Sequence, residues 1–148
     1  MQGAKRGGNI IFVFEMDGLR LAHMGDIGHL PDEATLKAMG HIDILLIPVG
    51  GVYTVDYKQA LEIAYAIAPK VVIPMHYAAD KLAFELGELA PFLENAKNCA
   101  IHRMRQSEAV ITKEELRHTP YAPERGGHHK GKSGQQQDNS AGLRRVAA

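Results

Sequence analysis

The chain alternates short apolar runs with segments of helical periodicity. Asn9 to Glu15 (NIIFVFE) is almost wholly β-branched, aromatic or aliphatic, which predicts a strand covered on both faces. Asp17-Gly18 tolerates positive φ at both central positions, so between two apolar runs it predicts a tight antiparallel hairpin. Leu19 to Met24 is the returning strand, and it ends at Gly25-Asp26. Pro31 to Gly40 predicts a short helix: proline and acids suit its first turn, Leu36 and Met39 form its apolar side, and Gly40 suits a left-handed C-cap. Ile42 to Pro48 (IDILLIP) is a strand that is apolar apart from Asp43.

The second half of the pattern is similar. Asp56 opens an amphipathic helix, with Gln59 three residues on completing a capping box, and Tyr57, Ala60, Leu61, Ala64 and Ile67 share one face. Pro69 stops it, and Lys70 to Met75 is the next strand. A helix over 82–96 follows, kinked or split by Gly87 and Pro91. Short strands are expected at Cys99 to Met104 and Ala109 to Thr112, then a capped helical turn from Thr112. After Tyr121 no large aliphatic residue appears until Leu143, so residues 119–148 are expected to be a disordered tail. Residues 1–8, glycine-rich and polar, are expected to be flexible, which leaves 9–118 as one folded unit. A hairpin followed by repeated helix–strand units is an α/β layer pattern with parallel crossovers.

Composition narrows the classes. At 148 residues with 17 basic and 17 acidic side chains, the formal charge is zero, so no strong field for nucleic acid or membrane is expected. The single cysteine, Cys99, allows no intrachain disulfide and suits a reducing compartment. No apolar run reaches the roughly 18–20 residues of a bilayer span, and no apolar region of secretory length follows the charged N-terminus. A cytoplasmic protein is expected.

Candidate chemistry sits at strand exits. In α/β sheets ligands gather beyond the carboxyl ends of the strands, and here those ends carry Asp26, Gly50-Gly51 and His76. Each also has a structural reading. Asp26 after Gly25 suits an Asx turn, Gly50-Gly51 a simple turn, and His76 a hydrogen-bonded packing residue. His23 lies inside a strand, and His29 suits a loop or helix-capping position. His41, His102 and His118 have no partner at recognisable spacing, and His128-His129 with Lys130 and Lys132 reads as a solvated tail.

Taken together, DGLRLAHMGDIGHL, IDILLIPVGGVYTVD and APKVVIPMHY resemble the metallo-β-lactamase superfamily, in its branch of simple metal-dependent hydrolases that includes L-ascorbate-6-phosphate lactonase. The resemblance covers roughly residues 5–112. It implies an αββα sandwich of two similar halves, of which this chain matches the C-terminal one: a mixed sheet with helices on one face. It also implies a divalent metal, Zn²⁺ or else Mn²⁺ or Fe²⁺, and a small-molecule substrate. Asp26 matches the metal-bridging aspartate and His76 the last histidine ligand. His23 and His29 match positions flanking that aspartate, and His29, with Asp26, is the candidate for a catalytic role.

The family's main ligand run, His-x-His-x-Asp-His, has no counterpart in these 148 residues. The chain therefore reads as the second half of the fold. Two ligands leave most of a coordination sphere to water, so the chain alone is expected to bind metal weakly and turn over little. Strands meant to pack on another layer would expose apolar surface, so self-association or a complementing N-terminal half is expected. The alternative is a non-catalytic interaction module derived from such a hydrolase.

Overall fold

The computed structural model describes residues 7–78, 85–103, 108–117 and 145–147. In chain order the elements are β1 (Phe12–Met16), β2 (Leu19–His23), α1 (Glu33–Met39), β3 (Ile44–Pro48), α2 (Tyr57–Ile67), β4 (Val71–Met75), α3 (Ala90–Asn95), β5 (Ala100–His102), α4 (Lys113–Arg117) and β6 (Arg145–Ala147). The strands form one mixed sheet in the order β1-β2-β3-β4-β6-β5. Only β1 runs antiparallel to its neighbour, through the expected hairpin; its turn residues Asp17 and Gly18 have φ of 51° and 71°. β2, β3 and β4 are parallel neighbours, so their carboxyl ends emerge on the same edge.

Local chemistry sets the helix limits. The Asp32 side chain caps α1 by accepting from the Thr35 N–H, and Gly40 closes it at φ 64°. Asp56 caps α2 with the expected box, accepting from Gln59 N–H while the Gln59 side chain accepts from Asp56 N–H. Ala68 ends α2 in the left-handed region, directly before Pro69.

Alternation along the strands divides the apolar residues between two faces. On one face Ala22, Leu45, Ile47, Val72 and Val146 pack with Met39 of α1, Ala60, Leu61, Ile63 and Ala64 of α2, and Phe92 and Leu93 of α3. That is the core, and α1, α2 and α3 cover it as expected. On the other face Leu19, Ile44 and Val71 are buried under Leu116 of α4, with Leu21, Leu46 and Ile73 only partly covered.

Several expectations are corrected. β1 is not covered on both faces: all five of its residues are exposed, because it is the edge strand. Of the helix expected over 82–96, the described residues form only Ala90–Asn95, where Pro91 takes a first-turn position that needs no N–H; residues 85–88 are irregular. Residues 109–112 form no strand and lead into α4, whose start is boxed by Thr112 and Glu115. Disorder is overturned for residues 145–147. They form β6 between β4 and β5, where Val146 is fully buried opposite Val72 and Ile101. The rest of the expected tail (119–144), residues 1–6, the first part of the expected helix (82–84), His118 and the His128-His129 patch lie outside the described residues.

Candidate metal centre

The carboxyl ends of β2, β3 and β4 build the site from three neighbouring strands. β2 stops at His23, and the Met24 N–H still donates to Leu46 O across 3.0 Å before the chain turns at Gly25, φ 60°. Asp26 follows with its side chain 71% exposed, and Ile27, fully packed, anchors the loop behind it. Val55 N–H donates to Ile27 O over 2.8 Å, which ties this loop to the one after β3.

β3 exits through Gly50, which has no room for a side chain. A Cβ there would lie 2.1 Å from the carbonyl oxygen of His76. Glycine at this point lets the end of β4 press directly on the end of β3. Gly87 continues the stack, donating its N–H to Gly50 O at 2.7 Å and accepting from Ala78 N–H at 2.9 Å. The backbone of His76 lies in the left-handed region, φ 53°, where its carbonyl meets Gly50.

β3 lies between β2 and β4, so their axes are about two strand spacings, roughly 10 Å, apart. The two turns nevertheless bring the side chains together: His76 Nδ1 lies 3.3 Å from Asp26 Oδ1, with the imidazole 47% exposed. An oxygen and a nitrogen donor at one solvent-facing corner suit a borderline or hard divalent cation. Among the described residues no group of three His, Cys, Asp or Glu side chains is placed to hold a metal. The pair therefore fits part of a coordination sphere, two donors with the remaining positions open.

The flanking histidines diverge. His23 Nδ1 accepts from the Gly25 N–H at 3.1 Å, so its proton sits on Nε2. His29 is exposed, and its Nδ1 donates to the Leu30 carbonyl at 2.8 Å. It also lies near Asp32, whose carboxyl is held below its ordinary range chiefly by hydrogen bonding to Thr35, with a smaller contribution from His29. No described hydrogen bond or ion pair joins His29 to Asp26 or His76. His41 also has an acidic partner, Asp43, at the opposite edge of the sheet. Asn9, absent from the sequence candidates, donates from Nδ2 to Met24 O at 2.9 Å, right behind the Asp26 turn. A lone Asn before a strand carries no motif that would have singled it out.

Comparison with known proteins places this geometry in a family. Residues 1–76 match the model of the beta-lactamase superfamily domain. A UPF0173 metal-dependent hydrolase of Methanoregula boonei is 32% identical over 100 residues, 67% of this chain and 45% of that protein. Another, of Alkaliphilus metalliredigens, is 37% identical over 102 residues, 68% of this chain and 42% of that protein. A third, of Thermoplasma acidophilum, is 43% identical over 75 residues, 51% and 33% of the two chains. The matches thus span less than half the length of these relatives. A crystal structure from Thermotoga maritima, described as that of a Zn-dependent hydrolase of the metallo-beta-lactamase superfamily, superposes with a TM-score of 0.61 at 28% identity, over 93% of this chain and 57% of that one. On the half-chain family match and the shared fold, the chain belongs to the metallo-β-lactamase superfamily.

Proposed function

We propose that this chain contributes Asp26 and His76 to the metal centre of a hydrolase acting on a small-molecule ester, lactone or phosphoester. The observation that carries the reading is the 3.3 Å approach of a carboxylate and an imidazole that are remote in sequence and leave two different strands. The relatives named as metal-dependent hydrolases support it. A divalent cation at such a corner, Zn²⁺ foremost with Mn²⁺ or Fe²⁺ as alternatives, would lower the pKa of a bound water to about 7 and so provide a nucleophile at neutral pH. Asp26 would hold such a cation through one carboxylate oxygen and would leave the other to orient a nucleophile or take a proton. His29 keeps Nε2 unengaged, because Nδ1 is used on Leu30, and so can face substrate.

Two donors do not close a coordination sphere. The remaining ligands would come from an N-terminal half or from a second copy, and the chain alone would bind metal weakly. Single free Cys99, its thiol pushed up by burial, fits a reducing cytoplasmic setting. The test is elemental analysis and Zn²⁺ titration of the purified chain, alone and with a chain carrying the His-x-His-x-Asp-His run. Weak binding alone, gain of metal on mixing, and loss of that gain in Asp26→Ala and His76→Ala are expected. Equal metal content in wild type and both variants would overturn the ligand assignment. Tight stoichiometric zinc binding by the lone monomer would overturn the shared site.

One observation favours a second reading. Phe12, Phe14 and Met16 are 48–60% exposed on the sheet face that also bears the half-covered Leu21, Leu46 and Ile73. That surface suits a non-catalytic interaction module, and a stable oligomer without metal would decide for it.

A further inference from the structure

We propose that Asn9 and His23 are positioning residues: they grip the peptide between Met24 and Gly25 from its two ends and thereby hold the Asp26 carboxylate against His76. The inference rests on reading Asp26 and His76 as ligands, and deepens that reading. Asn9 Nδ2 donates to the Met24 carbonyl at 2.9 Å, and His23 Nδ1 accepts from the Gly25 N–H at 3.1 Å. These are the oxygen and the hydrogen of a single peptide unit, which point in opposite directions. A bond at each end opposes rotation of that unit about its flanking dihedrals.

This peptide leads into Gly25, at φ 60°, and from there to Asp26. Glycine is the residue with the most backbone freedom, so a carboxylate following one is poorly aimed unless something else fixes the turn. Asn9 does so sterically as well. A Cβ on Gly25 would lie 2.5 Å from Asn9 Oδ1 and 2.9 Å from Ile10 O, so the Asn9 side chain packs onto the glycine itself. The hairpin explains why Asn9 is available. Phe12 pairs with His23 and Val13 with Ala22, and the same register carried past the strand ends sets Asn9 opposite Asp26. Just beyond the end of the ladder, the Asn9 side chain bonds the Met24 carbonyl. Groups that orient a ligand in this way typically change metal affinity about 10–100-fold when removed.

Four variants test it: Asn9→Ala; Asn9→Asp, which keeps the shape but loses the donor; His23→Ala; and His23→Asn, whose amide oxygen can stand in for Nδ1. In the metal-free chain, Gly25 amide hydrogen exchange and the His76 ring ¹⁵N shifts report the turn and its contact with Asp26. Exchange is expected to speed, with the His76 shifts moving, in the first three variants, and both are expected to return in His23→Asn. Mn²⁺ affinity, read from paramagnetic broadening, is expected to follow the same pattern, with a loss of about tenfold. Unchanged exchange and shifts in Asn9→Asp and His23→Ala would overturn the clamp. So would Mn²⁺ binding that is lost in Asp26→Ala but untouched in the Asn9 and His23 variants, a result that leaves the ligand assignment standing. If Gly25 and His76 respond in these variants while metal gained on mixing with a chain carrying the His-x-His-x-Asp-His run is the same in wild type and Asp26→Ala, the clamp holds and the ligand assignment falls. His23→Asn and Asn9→Asp keep the comparison usable where an alanine variant fails to fold.

Discussion

Two aspartates show how placement decides what one residue type does. Asp26 stands exposed at the carboxyl edge of the sheet, with His76 beside it. Asp43 lies buried at the opposite edge, just before β3. It accepts from the Arg20 N–H at 2.9 Å, Lys70 Nζ at 2.7 Å and His41 Nε2 at 3.1 Å. Arg20 in turn reaches the carbonyls of Met39 and His41 and pairs with Glu15. Burial alone would raise the Asp43 pKa, but the hydrogen bonds from Lys70, Arg20 and His41, with the Lys70 charge, outweigh it and bring it down from 3.8 to about 2. A carboxylate held lower in the folded state than in the unfolded one stabilises the fold at neutral pH. That contribution, about 2 kcal/mol, is fully present above the unfolded value of 3.8 and is lost as the pH falls through 2. Urea midpoints measured between pH 5 and 2 are therefore expected to fall more steeply in wild type than in Asp43→Asn, which should start lower at pH 5. Parallel curves would show that Asp43 carries none of the acid sensitivity. The sequence marked Asp43 only as the polar exception in an apolar strand. Its partners come from three separate segments, and no local pattern announces them.

At the scale of elements, capping chemistry and periodicity were the most legible signals, because both act within a few residues. The Asp56–Gln59 box, the Gly40 cap and the Asp17-Gly18 hairpin all stand where spacing put them. Asp56 accepts from both Lys58 N–H and Gln59 N–H at 2.9 Å, and α2 carries four buried core residues. Asp56→Ala is thus expected to cost about 1 kcal/mol, read as a lower urea midpoint at unchanged slope. A change below a few tenths would mean that packing of Ala60, Leu61, Ile63 and Ala64 holds the helix without its cap. Elements whose existence depends on distant partners were read less well. An apolar run such as that of β1 looks the same whether it becomes an inner or an edge strand. Three residues of β6 form a strand only because β4 and β5 stand on either side of them.

For the molecule as a whole, the two faces of the sheet are covered unequally among the described residues, with the larger buried cluster on the side of α1, α2 and α3. On the other, α4 covers Leu19, Ile44 and Val71, while the stacked rings of Phe12 and Phe14, 6.0 Å apart, stand in solvent. Burying one such ring contributes about 1.5–3 kcal/mol, so two at an edge strand are enough to drive weak association. Wild type is expected to sediment faster than a monomer at high concentration and the double variant Phe12→Thr/Phe14→Lys as a monomer; identical sedimentation of the two would rule this surface out. What the sequence determined by itself was the run of elements from β1 to β4, the caps and turns within it, and the donor types at the strand ends, since each depends on residues within a few positions of one another. The tertiary structure alone decided that Asp26 and His76 meet across the intervening strand, that Gly50 makes room for the His76 backbone, and that Asn9 closes the turn behind Asp26. Those contacts join segments 15 or more residues apart. They depend on strand order, register and close approach, which arise only when the sheet assembles.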